Sequence, residues 1–178
     1  MRRQRQFQFE GSEFIIPNSS FGGSMLKNSN AKVGRPLDSK LPIHLSLRAH
    51  KSVMRLPKTI NLVDDQVERT CKKHGVRLYK YATVGNHLHM VIKIPQRRRW
   101  NAFIRELSGR VAQLVREKLS LDGEFWTQRP FTRLVAGWGK AFQMAKDYVY
   151  LNWCEGEGHI KRDQTRNVKE LRDLLDFS

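Results

Sequence analysis

Apolar and polar residues begin to alternate regularly at position 41, and from there the pattern predicts an ordered series of elements. Positions 41–49 follow the two-residue period of a half-buried strand. Apolar residues spaced by four then predict a helix over 61–74, ended by a glycine. Residues rich in β-branched and aromatic side chains predict strands over 76–84 and 87–94, and the Gly-Asn pair between them predicts a two-residue hairpin turn.

The second half of the chain repeats a helix and a strand and then adds two helices. Residues 100–119 have one apolar and one basic side, which predicts a long amphipathic helix. Residues 124–135 are predicted to be extended, with a break at Pro130. Helices are predicted over 139–152 and, as a short final element, over 167–177.

This order of elements predicts an α+β fold. Strand, helix, strand, strand, helix, strand is the βαββαβ arrangement of a ferredoxin-like domain, an antiparallel sheet with two helices on one face. The opposite face is expected to stay open, and a C-terminal helix follows the last strand. We expect a basic flexible arm over 1–40, with one short docked segment at 14–16, a folded domain over 41–160 and a C-terminal helical tail over 161–178.

Composition adds a strong charge to this picture. The 178 residues include 39% hydrophobic residues, enough to bury a core, and 33 Lys and Arg against 17 Asp and Glu, a net charge of +16. Such an excess attracts polyanions, so nucleic acid is the first candidate partner and an anionic membrane surface the second. Apolar runs are too short to span a bilayer, and the two cysteines are too few for a disulfide framework. The sequence predicts a cytoplasmic, nucleoid-associated protein that does not enter the membrane.

The most specific chemical signal is the triplet His87-Leu88-His89 on the predicted strand 87–94. Side chains alternate along a strand, so both imidazoles share one face while Leu88 points into the core. Two imidazoles about 7 Å apart can bind one divalent metal if a third group reaches the ion. The alternative is a pair of solvated surface histidines.

A second signal lies on the predicted helix 139–152. Tyr148 and Asn152 are four residues apart and therefore lie on the same side of the helix. Tyr150 projects in another direction and is expected to pack. The alternative for Tyr148 is also a packing role.

Taken together, the two signals predict phosphodiester chemistry. A metal at His87 and His89 would neutralise a phosphate oxygen, and Tyr148 would attack the phosphorus in line. The resulting phosphotyrosine ester retains the energy of the broken bond. Such a reaction suits strand transfer or rejoining better than degradation.

Four blocks of the sequence, spread over residues 41–153, resemble single-tyrosine HUH transposases, and REP-associated tyrosine transposases with the IS200-like fold most of all. The blocks are Pro42–Arg48, Gly85–Ile92, Gly123–Arg129 and Asp147–Asn152. The resemblance implies a ferredoxin-like fold, Mg²⁺ or Mn²⁺ as cofactor, and a 5′-phosphotyrosine intermediate. It also implies recognition of hairpins in single-stranded DNA.

Carried over position by position, the resemblance implies that His87 and His89 bind the metal, that Tyr148 is the catalytic nucleophile and that Asn152 is the third metal ligand. One departure concerns the segment after Asn152. Relatives continue with a proline and a short basic loop, whereas residues 153–158 here carry two acids that would repel phosphate.

Contacts with nucleic acid are expected mainly in the basic stretch 125–146, which contains no acidic residue. The aromatic rings of Trp126 and Phe131 would stack on bases or pack in the core, and the sequence leaves both open. The basic run at the start of the helix 100–119 would add phosphate contacts to its role as a solvated surface. The predicted cationic contacts are Arg129, Arg133, Lys140, Lys146, Arg97, Arg98 and Arg99.

Two other functions remain compatible with the sequence. The first is a non-catalytic regulator that binds single-stranded DNA or RNA with the same fold. The second is a two-histidine phosphoesterase, suggested by His44-Leu45-Ser46, although the second His-x-Ser/Thr of that class is missing. Whether the protein is a monomer or a homodimer stays open.

Overall fold

The computed structural model describes residues 20–21 and 34–160 of the chain. The predicted docked segment 14–16 and the predicted helix 167–177 lie outside the described residues. The strands are β1 (Ser20–Phe21), β2 (Ile43–Arg48), β3 (Arg77–Val84), β4 (His87–Lys93) and β5 (Phe131–Leu134). The helices are α1 (Ile60–His74), α2 (Trp100–Leu119) and α3 (Lys140–Gly156), and a 3₁₀ turn at Arg97–Arg99 precedes α2.

The strands form one antiparallel sheet in the order β1-β5-β2-β4-β3. Strands β5, β2, β4 and β3 have the ferredoxin-like order, so the predicted fold class is confirmed. Strand β1 extends the sheet beside β5, a pairing that the sequence pattern does not predict. Strand β5 is shorter than the predicted extended segment, because Pro130 has no N–H to donate to a ladder.

The main core lies between the sheet and the pair α1 and α2. Odd-numbered residues of β2 and even-numbered residues of β4 point into it and are almost completely buried. Helix α1 contributes Val63 and Val67, and helix α2 contributes Phe103 and Leu107. Because side chains alternate along a strand, this burial forces the even residues of β2 and the odd residues of β4 onto the opposite face.

The sequence pattern predicts that the opposite face stays open, but α3 packs across part of it. Ala141, Ala145 and Val149 of α3 contact Ala82 of β3 and Val91 of β4 in a second, smaller core. Small side chains on both elements let the helix lie close to the sheet. Helix α3 therefore covers β3 and the adjoining part of β4, next to the polar residues of β2.

Residues 34–40, assigned to the predicted arm, contact the folded domain. The Arg35 guanidinium donates hydrogen bonds to the carbonyl oxygen of Pro130 and the hydroxyl of Thr132, at 2.9 and 2.8 Å. It also lies over the ring of Trp100, 5.4 Å from its centroid, while Leu37 packs against the main core. This part of the chain thus fixes the beginning of β5 relative to α2.

Candidate active site

The histidine pair is positioned by a tight turn. Gly85 has a φ of +48°, a left-handed conformation that glycine adopts without steric cost, and β4 begins two residues later at His87. His87 and His89 point to the face that carries α3, with ring centroids 5.6 Å apart. His89 is buried and His87 is half-buried. The two imidazoles share one face, as their spacing predicts.

Tyr148 meets this pair from the helix above. Its half-buried ring contacts His89 edge-on, with centroids 5.6 Å apart and planes at 85°. The contact exists because Val149, the next residue of α3, is completely buried against the sheet and so fixes the rotation of the helix. The structure therefore brings together residues of two elements, His87 and His89 of β4 and Tyr148 of α3, each of which was singled out in the sequence.

Asn152 lies one turn after Tyr148 and is buried. Its side-chain nitrogen donates a hydrogen bond to the carbonyl oxygen of Tyr148 at 2.7 Å. The side-chain oxygen, the atom that a metal would need, takes no part in that bond. The bond also supports the turn of α3 that carries the tyrosine.

The histidine cluster consists of His87, His89, Tyr148, Asn152 and His44. The sequence analysis did not assign His44 to this site. Its ring stacks on His89 at 5.7 Å with an interplanar angle of 1°, and it contacts Tyr148 edge-on at 5.3 Å. Its Nε2 atom is buried and has no hydrogen-bond partner among the described residues. Burial, and to a lesser extent the charge of Arg133, lower the pKa of His44 to about 4, so the ring is neutral at neutral pH.

Two arginines flank the cluster on the sheet. Arg48 pairs with His87 in the β2–β4 ladder, and Arg133 pairs with His44 in the β2–β5 ladder, so each shares a face with its histidine. Arg133 was predicted from the sequence, whereas Arg48 was not. The alternation of His44, Ser46 and Arg48 along β2 is the signal that places all three beside the histidine pair.

Other predicted cations lie at different distances from this cluster. Lys146 is two residues before Tyr148, and Lys140 begins α3. Arg129 is exposed just before β5. The run Arg97–Arg99 is exposed beyond the far end of β4, and six residues of strand, about 20 Å, separate His87 from Lys93. The arginine run therefore lies about one strand length away from the histidine pair.

Trp126 occupies the side of the sheet away from Tyr148. Its indole nitrogen donates to the carbonyl oxygen of Ser108 on α2 at 2.9 Å, and its ring packs beside Phe125 at the main core. Of the two roles considered for Trp126, these contacts are those of packing. Phe131 pairs with Ser46 and so faces the side that carries the cluster.

We expect the change Trp126→Ala to lower the free energy of unfolding by about 3 kcal/mol, as other large-to-small substitutions of packed aromatic residues do. Urea denaturation would measure this loss. Affinity for single-stranded DNA is expected to stay unchanged under folding conditions. A stable Trp126→Ala protein with weakened DNA binding would contradict the packing role.

Tyr150, the other tyrosine of α3, lies in a separate environment. It is buried in a third small cluster with Cys154, stacks on Trp153 at 5.8 Å and has the amine of Lys80 over its ring at 4.9 Å. It also lines a groove of about 460 Å³ along the exposed edge of β3. Tyr150 therefore packs away from the histidines, as expected.

The residues of the cluster fit a divalent metal through donors of two kinds. Within residues 20–21 and 34–160, no group of three or more His, Cys, Asp or Glu side chains is arranged to hold an ion. Two imidazoles whose ring centroids are 5.6 Å apart can both reach one ion at about 2.1 Å from each nitrogen. A third ligand to such an ion would be of another type, and the amide oxygen of Asn152 is of that type.

The sequence matches the family described as "Transposase IS200 like" over residues 39–151, so the chain belongs to the IS200-like transposase family. No curated protein matches the chain. Within the described ranges, no helix is long and apolar enough to cross a membrane.

Solved structures with a similar fold include a REP-associated tyrosine transposase bound to a REP hairpin. It is 11% identical, with a TM-score of 0.58, over 74% of this chain and 76% of that chain. A second match is to a proposed transposase from Deinococcus radiodurans R1, 15% identical, with a TM-score of 0.46, over 68% of this chain and 97% of that chain. The first of these likenesses confirms the fold.

Proposed function

We propose that this transposase cleaves and transfers single-stranded DNA through a 5′-phosphotyrosine intermediate on Tyr148, with a divalent metal as cofactor. The observation that carries the proposal is the contact of the Tyr148 ring with His89, one of the two same-face imidazoles. A tyrosine beside a pair of potential metal ligands is the arrangement that nucleophilic attack on a phosphodiester needs.

The chemistry assigned to Tyr148 is one ester exchange. Its phenolic oxygen forms a bond to phosphorus as the bond from phosphorus to the 3′ oxygen of the upstream nucleotide breaks. The phenolic proton is lost, and the departing 3′ oxygen gains a proton to become a hydroxyl. Because an ester replaces an ester, a 3′ hydroxyl can attack the phosphotyrosine in reverse, and strand joining needs no nucleotide cofactor.

The metal is assigned to His87, His89 and Asn152, as Mg²⁺ or Mn²⁺. When bound, it neutralises a phosphate oxygen and orients the phosphate. The donor set favours Mn²⁺, because Mg²⁺ prefers oxygen ligands and two of the three donors here are imidazoles. The residues that surround the pair keep its geometry, since Leu88 and Met90 are completely buried on the other face.

The DNA path is assigned to the part of this face beside α3. Arg48 lies there four residues after His44 on β2, Arg133 lies beside His44 on β5, and Lys146 lies on α3. Arg129 and Lys140 extend the positive charge along the same segment of the chain. The similar transposase that was solved with a REP hairpin supports a hairpin-containing substrate for this protein. We place the protein in the cytoplasm, at the nucleoid.

Covalent trapping tests the proposal. Labelled single-stranded DNA hairpins of varied sequence are mixed with the full chain and Mn²⁺ or Mg²⁺, then separated on a denaturing gel. We expect a labelled adduct that chelation of the metal prevents. Salt-sensitive binding of the hairpins without any adduct, at metal concentrations that saturate the protein, would instead favour a binding regulator.

His44 is expected to act as a positioning residue for Tyr148. Its ring contacts both Tyr148 and His89, so removing it frees the nucleophile to move. We expect His44→Ala to slow adduct formation about 100-fold, as displacement of a reacting group by about 1 Å does. His44→Phe, which keeps an aromatic ring in that place, is expected to restore most of the rate.

Quenched time courses of adduct formation measure both variants, and thermal unfolding shows whether either protein has lost its fold. If His44→Phe is as slow as His44→Ala while both remain folded, the role belongs to the buried Nε2 atom and not to the ring. A His44→Ala protein with the original rate would remove His44 from the site altogether.

A further inference from the structure

We infer that Tyr79, Trp138 and Phe142 form a base-stacking platform for the single strand that leads to Tyr148. The inference rests on the proposed function, since it assigns a subsite for the same substrate. Tyr79 belongs to β3, Phe142 to α3, and Trp138 to the loop before α3. This aromatic platform contains none of the residues of the histidine cluster.

The three rings contact one another pairwise. Their centroids lie 5.0 Å apart for Tyr79 and Phe142, 5.1 Å for Trp138 and Phe142, and 5.4 Å for Tyr79 and Trp138. Tyr79 and Phe142 also pack against the second core, whereas Trp138 is 43% exposed. A hydrogen bond from its indole nitrogen to the carbonyl oxygen of Lys40, at 3.0 Å, fixes the orientation of the exposed ring.

Packing against the second core explains the positions of the Tyr79 and Phe142 rings but not the position of the Trp138 ring. Among the described residues, Leu56 and Trp138 are the only exposed large hydrophobic side chains. An exposed indole held in place by a hydrogen bond loses little conformational entropy when a base stacks on it. Rings of this kind supply stacking surfaces in proteins that bind single strands.

A cation lies over each ring of the platform. Lys93 lies 5.6 Å from the centroid of Trp138, Arg77 6.0 Å from that of Tyr79, and Lys146 4.9 Å from that of Phe142. Single-stranded DNA presents alternating bases and phosphates, and a surface with rings and cations side by side complements both. The cations indicate that the occupant is a polyanion, and the rings indicate that it carries flat apolar groups.

Two acidic side chains lie close in the sequence to Lys40 and Lys146, which contact the rings of the platform. Asp38 accepts a hydrogen bond from the backbone nitrogen of Lys40, and Asp147 accepts one from the side chain of Gln143. Neither carboxylate contacts the cations over the rings in these bonds.

The platform lies on the path to the nucleophile. Phe142 precedes Tyr148 by six residues on α3, which corresponds to about 9 Å along the helix axis. Lys93 follows His89 by four residues on β4, and therefore points to the same face of the sheet. A strand that crosses the platform along α3 would reach Tyr148 within a few nucleotides.

Binding of matched oligonucleotides tests the platform. Fluorescence anisotropy compares a short labelled oligothymidylate with an abasic strand of the same length and charge, using the full chain. We expect Trp138→Ala to raise the Kd for the oligothymidylate on the order of tenfold and to leave the Kd for the abasic strand unchanged. Leu56→Ala, which removes the other exposed large apolar side chain, is the matched control and should change neither Kd.

Two further variants sharpen the result. Trp138→Phe keeps a flat ring and should recover most of the affinity for the oligothymidylate. Lys93→Gln should weaken both strands alike and reduce the salt dependence of binding by about one phosphate contact. Equal effects of Trp138→Ala on both strands, or no effect on either, would overturn the platform, as would a base-dependent loss in Leu56→Ala.

The outcome is independent of catalysis. If no covalent adduct forms but Trp138→Ala selectively weakens the base-bearing strand, the platform holds and the proposed cleavage reaction fails. If the adduct forms normally and Trp138→Ala binds both strands like the original protein, the platform fails and the cleavage reaction holds.

Discussion

We expect Tyr148→Phe to abolish the covalent adduct with single-stranded DNA. The substitution removes one oxygen atom, the one that would bond to phosphorus, and no other hydroxyl on α3 lies against the histidine pair in the contacts described above. Loss of a nucleophile lowers catalysis by on the order of 10³-fold or more in other covalent enzymes. The adduct should therefore fall below detection on a denaturing gel.

The phenylalanine keeps the rest of the site in place. Its ring can make the same edge contacts with His44 and His89, which involve the ring and not the hydroxyl. We therefore expect the stability of the protein and its Kd for the hairpin to change little. Separate measurements of binding and of adduct formation distinguish the loss of chemistry from the loss of substrate.

Tyr150→Phe is the matched control, because it makes the same chemical change on the same helix. Tyr150 is buried beside Cys154 and Trp153, away from the histidines, so its hydroxyl cannot reach a phosphate at the cluster. We expect this variant to form the adduct at the original rate. Adduct formation that survives in Tyr148→Phe but disappears in Tyr150→Phe would transfer the nucleophile to Tyr150.

The hydrophobic pattern predicted the ferredoxin-like sheet because both faces of its central strands obey a strict two-residue period. In β4, Leu88, Met90 and Ile92 are completely buried, and His87 and His89 fall on the other face. The pattern could not predict that α3 covers part of this face. On the strands, the buried residues of this second core are Val91 and Ala82, and two apolar residues on a polar face are too weak a signal.

His44 illustrates a different limit. Its position on the face of the histidine pair follows from the alternation along β2, so its neighbourhood could have been predicted once β2 and β4 were paired. What the alternation cannot give is the diagonal contact with His89 and the edge contact with Tyr148. Those depend on the register, in which His44 pairs with Val91, and on the depth at which α3 packs.

The aromatic residues show why composition alone cannot assign a nucleic-acid surface. Trp126 lies in a basic stretch and was expected either to stack on bases or to pack, and its contacts with Ser108 and Phe125 are those of a packed residue. Trp138, twelve residues later, was not predicted to contact DNA, and it is the exposed one of the two tryptophans. The segment before β5 brings Trp126 to one face of the sheet, and the loop after β5 brings Trp138 to the other face. Short loops carry no periodic signal, so the sequence pattern could not predict this difference.

The second large effect is expected for the metal site. We expect His87→Ala to abolish metal-dependent adduct formation and to weaken Mn²⁺ binding by at least about 100-fold, since the proposed site would lose one of its three protein ligands. His87 is preferable to His89 for this test because it is only half-buried, so its removal leaves a smaller cavity. Titration of the protein with Mn²⁺, followed by paramagnetic resonance of the free ion, measures the affinity without any DNA.

His50→Ala is the matched control for a non-specific loss of imidazole. His50 is exposed near Glu124 on the surface, two residues after β2 ends, and takes no part in the cluster. It should leave both Mn²⁺ affinity and the adduct unchanged. Because imidazoles favour Mn²⁺ over Mg²⁺, the original protein should also form the adduct at a lower concentration of Mn²⁺ than of Mg²⁺. Unchanged Mn²⁺ affinity in His87→Ala would show that the ion binds elsewhere, and would separate the histidine pair from the metal even if Tyr148 remained the nucleophile.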